Sequence, residues 1–425
     1  MRCAKRPRTM CSIAKRGAAA LVAASLLAGC ATGPTQYQAR TLSAGQQDLV
    51  ADKPAELQPL YRELFQEGRR NEVLNLMEIG AAAWRTGHYD LARAALDEAI
   101  LNIESVYADN DAARRARSLW YEEGEKDFKG EPYERAMVFY YRGLLFLRDG
   151  DYGNARASFL SGLLQDAFAE EEQHTTDFAS LIFLAGWAAR LDGNPTLAEQ
   201  HFQEYRLFRP DGPIPEAGDN LLVVAETGSA PRKLADGVGH YQLVYRRGKH
   251  IRAHGARLAA PAPRDLFPAE DVFFQASTRG GRTVDRIIEG QVRFKKNTQA
   301  TGDVLTAASQ NSAVAGLSAA AGGAVAAGFH TITAIGVAAE GLSARSRTRA
   351  DTRYWHRLPD GLHLATLRHA PDGGPLHVRF LDEHGQPLAG ADVDAAVHFD
   401  HRGNGLAFAS HRPRQHRSLK EGTAP

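Results

Sequence analysis

The stretch Gly143-Leu144-Leu145-Phe146-Leu147-Arg148-Asp149-Gly150-Asp151-Tyr152-Gly153-Asn154-Ala155-Arg156-Ala157-Ser158-Phe159 decides the fold of this chain. Apolar residues recur at three- and four-residue spacing on both sides of Gly150, the pattern of two amphipathic helices separated by a turn. A small residue, Gly143, stands seven positions before the turn glycine; Ala155 follows it by five and Phe159 by nine. In an antiparallel helix pair these offsets have a physical cause. The glycine ends the first helix, small residues let the two backbones approach, and the large residue fills the space between them. The same offsets occur twice more, as Gly80, Gly87, Ala92 and Leu96 upstream and as Gly186, Gly193, Ala198 and Phe202 downstream, with Tyr89 of the first set matching Tyr152.

The turn sequences Arg85-Thr86-Gly87-His88-Tyr89-Asp90 and Arg148-Asp149-Gly150-Asp151-Tyr152 resemble the tetratricopeptide repeat. The array is irregular, because its turn glycines lie 63 and 43 residues apart instead of the usual spacing of about 34. The third segment also has Pro195 where the others have tyrosine, and residues 102–132, with Trp120 and Tyr121, read as an insertion. The resemblance implies a helical repeat domain over 47–212 whose concave face suits a partner's helix or peptide.

Beyond Pro210 the texture changes. Pro213, Pro215 and Gly218 read as a linker. β-rich runs follow at 221–225, 242–245 and 271–274, and again at 362–367, 376–381 and 393–399, with turn signals at Asp372-Gly373-Gly374 and His384-Gly385-Gln386-Pro387. The expected fold class is therefore α+β: a helical repeat domain, then a small antiparallel β domain over 219–400. An Ala/Gly-rich helical segment, about 299–341, is inserted in the latter, and a disordered basic tail is expected over 401–425.

At the other end, the first 29 residues carry six cations and no acid, followed by the apolar run 17–27 and then Leu27-Ala28-Gly29-Cys30. A charged start, a short apolar region and small residues before the cut describe a secretory signal, too short to span a membrane. The cysteine placed there resembles the lipobox of bacterial lipoproteins, which implies a signal peptide over 1–29, lipidation at Cys30 and a tether over 30–46. With Ala31 next, and no aspartate, outer-membrane retention is expected. The start lies at Met1 or Met10. Cys3 and Cys11 leave with the signal, so no thiol remains for a disulfide or a cysteine-based metal site.

Charge bounds the partners. The formal net charge of +1 hides the cationic leader, and the body without it carries 45 basic against 50 acidic residues. A mildly acidic body lacks the electrostatic footprint of a nucleic-acid binder. Apolar and charged fractions of 44% and 24% exclude a polytopic membrane protein and a largely disordered chain.

Few segments offer chemistry. Arg279, Gly280, Gly281 and Arg282 form the candidate anion-binding site, since two glycines can present backbone N–H groups between two guanidinium donors. His398-Phe399-Asp400-His401 holds metal-ligand types, but on a strand neighbours point to opposite faces, and no metal is expected. No nucleophile elbow or phosphate loop occurs, so the reading is of a non-enzyme without a cofactor. In the charge-free stretch 313–339, Gly316, Ala320, Ala324 and Gly328 recur every four residues. That stripe suits close helix packing, with membrane insertion or a pore-like assembly as the alternative.

Four further stretches together resemble a family of proteobacterial outer-membrane lipoproteins with tetratricopeptide-like repeats. They are Asn71-Glu72-Val73-Leu74, Lys129-Gly130-Glu131-Pro132-Tyr133-Glu134-Arg135, Gly228-Ser229-Ala230-Pro231-Arg232-Lys233, and Ala350-Asp351-Thr352-Arg353-Tyr354-Trp355 with Leu358-Pro359. The family supplies no activity to carry over. The resemblance implies a lipoprotein on the periplasmic side of the outer membrane, near cell-wall assembly. The expected work is that of a protein–protein interaction scaffold for an envelope partner, with binding of peptidoglycan or another anionic glycan as the alternative.

Overall fold

The computed structural model describes residues 39–105, 127–167, 178–236, 242–259, 263–279 and 351–412. Cys30, Gly280, Gly281, Arg282, the Ala/Gly-rich stretch and residues 413–425 lie outside them.

The first described helix, α1 (Ala44–Ala51), starts inside the expected tether, because Ser43 and Gln46 form a reciprocal cap at its N-terminus. Helix α2 (Gln58–Glu67) and a 3₁₀ turn (Gly68–Asn71) lead into three antiparallel hairpins. These are α3 (Glu72–Arg85) with α4 (Tyr89–Ser105), α5 (Pro132–Arg148) with α6 (Tyr152–Ala167), and α7 (Ala179–Leu191) with α8 (Pro195–Phe208). The three turns are built alike. Gly87, Gly150 and Gly193 take φ of +80°, +76° and +80°, where a side chain is disfavoured. The next residue in each donates its N–H five residues back, His88 to Ala83, Asp151 to Phe146 and Asn194 to Ala189. These bonds satisfy carbonyls that the helix end leaves open.

Across each hairpin the small and large residues meet. A Cβ on Gly80 would lie 2.6 Å from Leu96, and one on Gly186 would lie 2.8 Å from Phe202. At Gly143 a Cβ would collide with the Phe159 ring. Ala92, Ala155 and Ala198 are buried beside these contacts.

The β half holds eleven strands among the described residues. They are β1 (Leu221–Thr227), β2 (Arg232–Asp236), β3 (Gln242–Arg246), β4 (Gly255–Leu258), β5 (Arg264–Asp265), β6 (Phe267–Asp271), β7 (Gly361–Leu367), β8 (Leu376–Leu381), β9 (Val393–Ala395), β10 (Val397–Phe399) and β11 (Gly405–His411). A five-stranded sheet runs β10-β11-β1-β7-β6, a four-stranded one β5-β4-β8-β9, and β2 and β3 form a separate hairpin. Strand β1 is buried on both faces. Its Leu222 and Val224 join the helical core, whereas Leu221, Val223 and Ala225 face the four-stranded sheet with Val378 and Phe380. The result is three layers: helices, five-stranded sheet, four-stranded sheet.

Four expectations change. The sheet is not purely antiparallel, since β11 pairs with β1 in parallel, Leu221 opposite Gly405 through Thr227 opposite His411. The folded body does not stop at residue 400, because β11 lies between β1 and β10; the charged residues around it hid the short apolar run Leu406-Ala407-Phe408-Ala409. The run 271–274 is not a strand. Asp271 ends β6, and its carboxylate accepts the Phe274 N–H at 2.9 Å, which caps a helix, α9 (Val272–Arg279). Its buried Val272, Phe273 and Ala276 fit helical spacing. Finally, the linker does not separate a helical core from a sheet core. One cluster joins Leu144 and Trp187 of the helices to Leu222, Leu362 and Leu406 of the sheet, and the chain from Leu42 onward is one compact unit.

Candidate functional site

The four stretches that carry the lipoprotein resemblance converge on one place, the seam between the first helices of the hairpins and a strap over 351–359. Arg353 pairs with Asp351 at 2.7 Å and donates to Asn71 Oδ1 at 2.7 Å and to the Arg70 carbonyl at 3.0 Å. One oxygen of the Glu134 carboxyl accepts the Trp355 N–H, and the other accepts the Glu131 N–H, each at 2.7 Å. Lys233 meets Glu131 at 2.6 Å, and the rings of Tyr133 and Tyr245 pack edge to face. One turn along, Glu78 accepts the His356 N–H at 2.7 Å and lies 3.2 Å from Arg357.

Two strands of the sheet send carboxylates the other way. Glu226, at the buried end of β1, accepts from Arg85 Nε at 2.9 Å and from the Tyr141 hydroxyl at 2.7 Å. Glu270 of β6 sits at the N-terminus of α7, where it accepts the Ser180 N–H at 3.1 Å, with Arg209 at 3.2 Å and Gln275 at 3.0 Å. An anion is favoured there by the open N–H groups of the helix end.

Burial sets the electrostatics. It pushes the Glu134 carboxyl up to about 7 in spite of the Lys233 charge nearby. Burial also works against charge on Lys233 and on Glu78. For Lys233 the carboxylates of Glu131, Glu134 and Asp351 outweigh it and hold the ammonium above its ordinary range; for Glu78 the bonds and charges of His356 and Arg357 hold it below. His363 is pushed down to about 4 by burial, with His254 adding to the effect. Each of these carboxylates is engaged by main-chain N–H groups or by cations. A group so engaged orients the strap and joins the layers. One cavity between the layers, lined by Leu147, Trp187, Leu191, Leu222, Asn404, Gly405 and Leu406, has a volume of only about 10 Å³, room for roughly one water.

The residues singled out in the sequence fall in several places. Gly80, Gly143, Gly186 and the three alanines sit inside the hairpins. Tyr89 packs against Trp84, with Arg148 over its ring. Tyr152 instead ties the middle hairpin to the turn before β11: it donates to the Asp400 carboxylate and accepts from Asn404 Nδ2 at 2.8 Å. Arg279 is the last residue of α9, and its three companions in the candidate anion site lie outside the described residues. His398 and His401 flank the same Asp400 turn, and among the described residues no group of three or more His, Cys, Asp or Glu is arranged to hold a metal ion. No described helix is long and apolar enough to cross a membrane.

Sequence reasoning missed Glu78, Glu134, Glu226 and Glu270. Their signal was an acid at a position where the helix or strand period asks for an apolar residue, as in Tyr133-Glu134-Arg135-Ala136-Met137. No protein-family model matches this chain, and no curated protein matches it.

Proposed function

We propose that this chain is a lipid-anchored envelope protein, tethered through Cys30 on the periplasmic side of the outer membrane. Its work is that of a non-catalytic protein–protein interaction scaffold built on tetratricopeptide-like hairpins. The inner helices α3, α5 and α7 are occupied by the chain's own sheet and strap, so the partner's surface is the outer one, formed by α4, α6 and α8. One observation carries the reading. Leu101, Leu164 and Leu207 are 67%, 55% and 79% exposed, and each stands fourteen residues after its turn glycine. A single exposed leucine is ordinary, but the same position left apolar on three successive hairpins makes a row that a partner can cover.

The test is site-specific photocrosslinking in living cells, with the crosslinker placed in turn at Leu101, Leu164 and Leu207 and, as control, at Asp372 in the turn between β7 and β8. One common partner from all three leucine positions and none from the control is expected. Adducts that do not distinguish row from control would remove the reading. Fractionation of Cys30→Ser tests the anchor separately: the variant is expected to leave the membrane fraction or to accumulate unprocessed.

A further inference from the structure

The stretch 232–264 holds eight lysines and arginines against one acid, Asp236, inside a body whose overall balance is acidic. The structure divides these cations. Lys233 is bound to Glu131, Arg247 to Asp271 and Asp360 at 2.6 and 2.5 Å, Arg257 to Asp265, and Arg264 to the Thr366 carbonyl. Arg232, Lys249 and Arg252 pair with no carboxylate among the described residues. Arg232 also lies directly across the β2–β3 ladder from Arg246, an arrangement of like charges that disfavours the hairpin.

The hairpin has two unlike faces. Lys233 and Tyr245, an opposed pair, are buried against the helices. At the alternate positions stand the Arg232–Arg246 pair near the base, then the Leu234–Val244 pair, and the ladder ends with Asp236 opposite Gln242; Leu234 is 40% exposed. Beside it, the loop 247–254 is fixed from within. Ser229 Oγ donates to the Lys249 carbonyl at 2.9 Å, Gly248 packs too closely on Ser229 to admit a Cβ, and the His254 N–H donates to the Leu381 carbonyl at 2.8 Å. His250 takes φ +58°, a conformation that residues with side chains seldom adopt. Lys249, His250 and Arg252 are thereby held outward, exposed, on a fixed backbone.

We infer that the outer face of the β2–β3 hairpin and the 247–254 loop together form a contact surface for an anionic lipid bilayer. Three cations that no described carboxylate neutralises, beside one exposed leucine, suit a surface of lipid phosphates over an apolar interior. This inference rests on the lipid-anchor reading. A tether of twelve residues, 31–42, spans at most about 43 Å, so the bilayer is the polyanion always within reach. A basic patch is also the usual second signal beside acylation. The acidic remainder of the body is repelled by the same surface, which selects the orientation.

The experiment uses the chain from Ala31 onward, which keeps every described residue and lacks both leader and lipidated cysteine. It is offered vesicles of phosphatidylcholine alone or mixed with phosphatidylglycerol. Cosedimentation with the anionic vesicles, lost in 0.5 M salt, is expected. Each cation contributes about fivefold to partitioning, so Arg232→Gln/Lys249→Gln/Arg252→Gln together lower it about a hundredfold. Leu234→Ser lowers it further. If the triple variant proves misfolded by thermal unfolding, Lys249→Gln and Arg252→Gln singly, each about fivefold, serve instead. No binding to anionic vesicles, equal binding to neutral ones, retention on peptidoglycan sacculi alone, or binding indifferent to salt and to these variants overturns the inference. Because no acyl chain takes part, these outcomes are separate from the Cys30→Ser fractionation.

Discussion

Glu134 shows how one buried group links sequence to behaviour. Its carboxyl titrates near 7 in the folded chain and near its ordinary 4.5 when unfolded, so the folded state holds the extra proton between those values. Stability is then fully present below pH 4.5 and is lost as pH rises toward 7. Glu134→Gln, neutral throughout, is expected to lack that loss, so its stability relative to the parent rises by up to about 3 kcal/mol across this window. Urea unfolding at several pH values reads it. His363 works in the other direction. With its folded value near 4 against 6.5 unfolded, the unfolded chain binds the extra proton, and stability falls as pH falls from 6.5 toward 4. Glycine gives a second contrast. Gly143→Ala would drive a methyl into the Phe159 ring and cost roughly 1–3 kcal/mol, whereas Gly153, with nothing within 4 Å of its would-be Cβ, gains helix propensity of up to about 1 kcal/mol. Equal thermal shifts for the two variants would contradict the packing described.

At the scale of elements, the hairpins were legible because their cause is local: a turn glycine and two side chains at fixed offsets suffice. Strands β1, β7 and β8 were legible from their apolar runs for the same reason. What stayed hidden depends on distant partners. Helix α9 reads as a strand until Asp271 is known to cap it, and β11 reads as tail until β1 is known to lie beside it. Cys30, with its expected lipidation, and Gly280, Gly281 and Arg282 of the candidate anion site lie outside the described residues. The carboxylates of the seam were hidden because an isolated acid in an apolar run looks like a break in the period, and only the N–H groups of Trp355, His356 and Ser180 explain it. Strand β11 supports a sharp expectation. A chain ending at Arg412 keeps its melting temperature, since Arg412 still donates to the His356 and Leu358 carbonyls at 2.9 and 2.6 Å. A chain ending at Asn404 leaves β1 with one open edge and β10 without a partner, and is expected to be insoluble or open to protease.

For the molecule as a whole, the continuous core predicts that its halves do not live apart. Residues 42–212 expressed alone would expose the inner faces of α3, α5 and α7, which are buried along nearly their full length. They are expected to aggregate or to lack fixed tertiary structure by near-ultraviolet circular dichroism, while 42–412 unfolds in a single transition. The Arg85–Glu226 pair spans the two layers. Removing either partner is expected to cost about 3–5 kcal/mol, and replacing both by apolar residues of similar volume to restore most of it. The place of β11 has a consequence for biosynthesis. Ribosomes deliver a chain from its N-terminus, so the strand that fills the slot between β1 and β10 is the last of the described strands to arrive. Every nascent form without it carries that slot empty. An open slot of this kind exposes unpaired strand edges, so such a form is expected to aggregate or be cut by proteases. Only a polypeptide synthesised through His411 can therefore complete the five-stranded sheet and close its own core.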